Sequence, residues 1–77
     1  MDAAVRIVRV LTDHGCEPHR DYEDPSAQGW FAEAGLEDAE IEQGLMTALD
    51  RGWLIMPAER PGKCQITQAG FDAATTT

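Results

Sequence analysis

Positive charge is the scarcest commodity in this sequence: six Lys and Arg stand against fourteen Asp and Glu, a formal net charge of −8. Between Asp21 and Asp50 there is no Lys or Arg at all, while nine acids fall there: Asp21, Glu23, Asp24, Glu33, Glu37, Asp38, Glu40, Glu42 and Asp50. The flanks are near neutral, with three acids against three bases over residues 1–20 and two acids against three bases over residues 51–77. The whole excess therefore resides in the middle. Its sign is wrong for neutralising a phosphate backbone, which disfavours DNA as a partner.

Long apolar runs are missing as well. No segment approaches the roughly 18 to 20 consecutive apolar residues of a membrane span, and the start of the chain, with Asp2, Arg6 and Arg9, does not resemble a secretory signal. No membrane partner is expected, and the cytoplasm is the expected location. Cysteine is limited to Cys16 and Cys64, which without an export signal read as reduced thiols rather than a disulfide framework. There is no Gly-rich phosphate loop and no nucleophile set beside a base. With 77 residues the chain is also too short to wall off a substrate pocket, so a non-enzymatic protein without a cofactor is expected.

No metal site is expected either. His14, Cys16, His19 and Cys64 are zinc-ligand types, but their spacing matches no common zinc pattern. Two small hydrophobes and two histidines in a polar connection account for them better. Asp21, Glu23 and Asp24 with Asp50 lack the spaced ligands and Gly of a calcium loop and read as a charge run.

What is present is a series of ordered local signals. Ala4, Ile7, Val8 and Leu11 recur at the spacing of one helical face and predict a helix over Ala3–His14, stopped by Gly15. The stretch from Cys16 to Pro25 mixes two prolines with charges and reads as a connection, with a short extended piece around Tyr22. Asp24-Pro25-Ser26 offers a helix start, with Asp or Ser as the cap, leading to Ala34 and a stop at Gly35. Glu37 or Asp38 opens the next helix, where Ile41, Leu45, Ala48 and Leu49 form an apolar stripe that ends at Gly52.

After Gly52 the period changes. Trp53–Met56 and Cys64–Thr67 read as paired strands joined through Arg60-Pro61-Gly62-Lys63, in which Pro and Gly occupy the central positions of a type II turn. Thr67 then caps a short helix, Gln68–Ala74, with Phe71 and Ala74 on one face. The expected fold is α+β and mostly helical: a three-helix core with a helix-turn-helix, a C-terminal β-hairpin and a short final helix. Residues 1–74 form the single domain and 75–77 a frayed tail.

This order is similar to the winged helix-turn-helix family. The resemblance is carried by the run from Ala34 through the Gly35-Leu36 turn to Arg51-Gly52-Trp53-Leu54-Ile55, and by Ile66-Thr67-Gln68-Ala69-Gly70-Phe71, and it covers Ser26 to Ala74. It implies DNA binding, with the helix from about Asp38 to Arg51 in the major groove and the hairpin, the wing, touching phosphates. On that implication a dimeric transcriptional regulator would place Gln43 and Thr47 on bases and Arg60 and Lys63 on phosphates.

The residues themselves point elsewhere. Opposite the Ile41, Leu45, Ala48, Leu49 stripe lie Ala39, Glu40, Gln43, Met46, Thr47 and Asp50, so the would-be reading face is acidic. Acidic helix starts and solvated faces are common in themselves, but they do not predict nine acids without a base. The leading expectation is a protein-interaction or regulatory module that holds a protein partner, basic in character, through Glu40, Gln43, Met46, Thr47 and Asp50, with Trp30 as a further anchor. An acidic imitation of DNA, inhibiting a nucleic-acid-binding protein, is a third alternative. Trp53, at the entrance to the hairpin, is expected mainly to pack. A homodimer burying Val5, Val10 and Phe71 would be a natural remedy for the small core.

Overall fold

Hydrophobic periodicity is realised as four helices and a three-stranded antiparallel sheet in the computed structural model, which describes residues 2–75. In chain order these are α1 (Ala3–Asp13), β1 (Asp21–Glu23), α2 (Asp24–Glu33), α3 (Asp38–Asp50), β2 (Leu54–Ile55), β3 (Lys63–Ile66) and α4 (Gln68–Thr75). The architecture is α+β and mostly helical. The N-cap of α2 is Glu23 rather than the expected Asp24 or Ser26, both of which fall inside the helix; the side chain of Asp24 lies outside the described residues, as do Thr76 and Thr77 of the expected tail.

Helix α1 is the hub. Its Ala4, Ile7, Val8 and Leu11 are buried as the spacing predicts, and α2, α3 and α4 all pack on it. The Asp2 carboxylate accepts the Val5 N–H at 3.0 Å and so caps the first turn. Around the hub, Ile7, Val8, Leu11, Phe31 and Ile66 are fully enclosed and form the centre of the core.

The first three helices end alike. The N–H of Cys16 returns to the Leu11 carbonyl, that of Leu36 to Phe31 and that of Trp53 to Ala48, each across a glycine. This is the closing bond of a Schellman motif, and it folds the residue after the glycine back onto the helix just left. Leu36 is thereby buried and Trp53 half-buried.

The segment after α1, whose form the sequence leaves open, feeds a strand into the sheet. His19, at φ +66°, donates its N–H to the Ile66 carbonyl at 2.9 Å, and β1 follows at once. The sheet order is β1-β3-β2, with Tyr22 opposite Cys64 and Leu54 opposite Ile66. These four side chains are buried and roof the helical core. Each end of β2 and β3 lies one residue from the expected ranges, Trp53–Met56 and Cys64–Thr67. The turn between them has the predicted form: Lys63 N–H donates to the Arg60 carbonyl at 3.2 Å, and Gly62 takes φ +81°.

Thr67 fastens the last helix to the rest. Its Oγ1 accepts the Gly70 N–H at 3.1 Å and donates to the Gly52 carbonyl at 2.7 Å, so the cap of α4 and the end of α3 share one hydroxyl. A side chain at Gly70 would fall on the Trp53 carbonyl oxygen, so only glycine lets α4 lie this close.

Candidate functional site

The direction in which α3 faces is set by a glycine. Gly44 is buried, and a Cβ built on it would lie 2.7 Å from Ile7 Cγ1 and 2.8 Å from the Ala3 carbonyl oxygen. Because α1 and α3 meet at Gly44, the inward line of α3 is Ile41, Gly44 and Ala48, all buried. The stripe read from the sequence, Ile41, Leu45, Ala48 and Leu49, is therefore rotated from the true one. Leu45 is only half-buried, and Leu49 is 37% exposed.

That rotation redistributes the expected site residues. Glu40 swings to the flank beside α1, where its Oε2 accepts from Arg6 Nη1 at 2.6 Å and its Oε1 from the Glu37 N–H at 3.4 Å. One carboxylate thus serves the start of α3 and the α1–α3 contact together. Thr47 lies half-buried on the same flank, while Gln43 and Asp50 are exposed and Met46, at 65%, is the most exposed large apolar side chain among the described residues. Met46 and Gln43 line an open hollow with Ala39, Thr47 and Glu42. Glu42, absent from the expected set, is the acid that accompanies Met46.

Trp30 is not brought to this surface. It stacks on His14 with ring centroids 4.3 Å apart and planes 6° from parallel, over the end of α1. The two hollows it borders are lined by residues of α1, α2, the segment after α1 and β1, and by none of α3. Trp53 has the packing role expected of it, with the Arg51 guanidinium carbon 4.9 Å from its ring centroid. Of the three residues offered for a homodimer, Val10 is already buried inside the chain, and Val5 and Phe71 are half-buried.

All six basic residues are engaged within the chain. Arg60 pairs with Asp21 at 2.8 Å and Lys63 with Glu23 at 2.9 Å, so the two cations of the β2–β3 hairpin meet the acids of β1 while their side chains stay 45% and 38% exposed. Arg6 pairs with Glu40, Arg20 with Glu17 at 3.1 Å, and Arg51 with Asp2 at 2.9 Å. The remaining base, Arg9, donates to the Ala74 carbonyl at 3.4 Å. These pairs lower two carboxyl pKa values. The Val5 N–H and then Arg51 hold Asp2 below its ordinary value, and Lys63 does the same for Glu23.

An apolar hollow next to α3 is the feature sequence reasoning missed. Leu45 and Leu49 meet Leu54, Met56 and Cys64 of the hairpin around a space of about 60 Å³. Its rim is open to solvent, with Met56 53% and Leu49 37% exposed. Leu45 also lines a neighbouring cleft with Ile41, Gln28, Asp38 and Glu42. The legible signal was the spacing of Ile41, Gly44 and Ala48, which marks the contact face once Gly44 is counted as an inward position.

Among the described residues no cluster of three or more metal-ligating side chains forms. Cys16 and Cys64 are not bridged, and burial pushes the Cys16 thiol up, away from the reactive thiolate. Among the described residues no helix is long and apolar enough to cross a membrane. No family model, curated protein or solved structure matches this chain.

Proposed function

We propose that the chain is a small winged helix that acts without catalysis, as a protein-interaction or regulatory module whose partner docks on the outward face of α3. The element order α1-β1-α2-α3-β2-β3-α4 supports the winged-helix assignment, with β2–β3 as the wing and β1 completing the sheet on the far side of β3. The observation that carries the functional half is the internal use of positive charge. Arg6, Arg20, Arg51 and, in the wing, Arg60 and Lys63 sit in ion pairs within the chain, and Arg9 is held within it as well.

A winged helix that reads DNA needs cations free to displace counterions from phosphates, each contributing about −0.9 to the salt slope. Here each would first have to leave a carboxylate, and α3 would bring Asp38, Glu42 and Asp50 toward the polyanion. A basic protein surface meets the opposite situation, since those acids are already solvated and turned outward.

The test is fluorescence anisotropy with a labelled mixed-sequence duplex at about 0.15 M salt, where non-specific DNA binders give Kd of about 10⁻⁴ to 10⁻⁶ M. No saturable binding is expected in that range. Tight, sequence-selective binding abolished by changing Gln43 or Thr47 would refute the proposal and favour the dimeric DNA-binding regulator.

A further inference from the structure

The apolar hollow between α3 and the hairpin and the acids further along the same helix form one stripe. Leu45 and Leu49 face Met56 at its C-terminal end, and Glu42 and Asp38 follow at helical spacing toward the N-terminal end. Leu45 belongs to both hollows and makes them continuous. Met46, one turn from Glu42, lines a separate hollow that shares only Glu42 with this stripe. Among the described residues Asp38, Glu42 and Asp50 have no ion-pair partner, unlike Asp2, Glu17, Asp21, Glu23 and Glu40.

We infer that this stripe binds a basic amphipathic helix of another protein, with its apolar side chains on Leu45, Leu49 and Met56 and its Lys or Arg one to two turns along on Glu42 and Asp38. The inference rests on the protein-interaction reading above and specifies the partner's chemistry. Charge selects this occupant among the alternatives. A second copy carries the same −8, and its cations are already engaged within its own chain. Such a copy would set acid against acid around the apolar contact, which like-charge repulsion disfavours. A nucleic acid offers neither cations for Glu42 and Asp38 nor an apolar ridge for the hollow. An amphipathic helix laid in an apolar groove supplies both, with anchors at helical spacing.

The probe is a synthetic 18-residue peptide of Lys and Leu patterned as an amphipathic helix. Two controls accompany it: a peptide of the same composition with the pattern scrambled, and the amphipathic peptide with every Lys replaced by Glu. Binding to the whole chain is followed at about 0.15 M salt, the physiological ionic strength, by anisotropy and by amide chemical-shift mapping, with circular dichroism to verify that each variant folds. The amphipathic basic peptide is expected to bind at least tenfold more tightly than either control and to shift amides of α3 and β2. Leu49→Ser with Met56→Ser, both exposed positions, and separately Glu42→Lys should each weaken it at least tenfold, while Glu33→Lys on α2 should leave it unchanged.

Equal binding of the patterned and scrambled peptides, or binding that survives Leu49→Ser with Met56→Ser, would overturn the groove while leaving an acidic protein-binding face intact. No binding of either basic peptide would overturn both readings. Self-association of the free chain lost in Leu49→Ser would assign the stripe to a second copy and overturn the proposal.

Discussion

Arg6 Nη1 lies 2.6 Å from Glu40 Oε2, and this pair joins the middle of α1 to the first turn of α3. It takes one of the two acids of the expected binding face and makes it part of the scaffold. Both side chains keep about a third of their surface exposed, 35% and 37%, so the pair is screened by solvent and worth about 0.5 to 1 kcal/mol rather than the several of a buried bridge. A double-mutant cycle with Arg6→Ala and Glu40→Ala, read by urea unfolding, should return a coupling in that range. A coupling indistinguishable from zero would show that the contact contributes nothing in solution.

Two glycines inside helices should respond oppositely to alanine. At Gly29 of α2 nothing lies within 4 Å of a new Cβ, so Gly29→Ala gains helix propensity and stabilises by about 0.5 to 1 kcal/mol. At Gly44 the same Cβ meets Ile7 and the Ala3 carbonyl, and the overpacking cost of about 1 to 3 kcal/mol outweighs the propensity gain. Thermal unfolding of the two variants decides it. A stabilised Gly44→Ala would mean that α1 and α3 are further apart than described.

Gly62→Ala tests the hairpin turn by a different mechanism. There is open space around the position, but its φ of +81° is one that alanine adopts at a cost of about 1 to 2 kcal/mol. A loss of about that size in urea unfolding is expected. No change would indicate that the turn relaxes to another type.

Acid stability should follow the exposed pairs at the edges of the sheet and of α1. The folded pKa values of Asp2 and Glu23 lie below the ordinary 3.8 and 4.5. For a lowered carboxylate the contribution is present above the unfolded value and lost as pH falls through the folded one, so these two are constant from pH 7 to about 5 and disappear below about pH 4. Lys63→Gln removes the main cause of the Glu23 shift, and its urea midpoint should fall less between pH 5 and 3 than that of the parent chain. An equal fall in both would show that the Lys63–Glu23 pair has no weight in solution.

The two thiols should differ from free cysteine in one direction. Cys64 is buried and Cys16 half-buried with its pKa raised, so a disulfide reagent at neutral pH should label Cys16 more slowly than a model thiol and Cys64 only on unfolding. Fast labelling of Cys64 in the folded chain would contradict its enclosure between β1 and the core.

Much of the fold was legible in short-range chemistry. Gly15, Gly35 and Gly52 stop the helices, Thr67 caps α4, and Pro61-Gly62 makes the turn, because each of these acts over three or four residues. The strand at Asp21–Glu23 was only hinted at around Tyr22, since three residues carry too little alternation and their hydrogen bonds belong to β3, about forty positions away.

By itself the sequence determined the charge map, with its excess confined to Asp21 through Asp50, and the order of the local elements. Only the tertiary structure decided which way α3 faces, and therefore which acids remain available. That follows from the close approach of α1 and α3 at Gly44, which buries a residue that hydropathy does not mark as core and exposes Leu49, which it does. The same packing brings Arg6 to Glu40, and the pairing of β1 with β3 brings Arg60 to Asp21 and Lys63 to Glu23, pairs separated by more than thirty residues. Net charge is a sum over the chain, but the charge a partner meets depends on distances of a few ångströms that only folding sets.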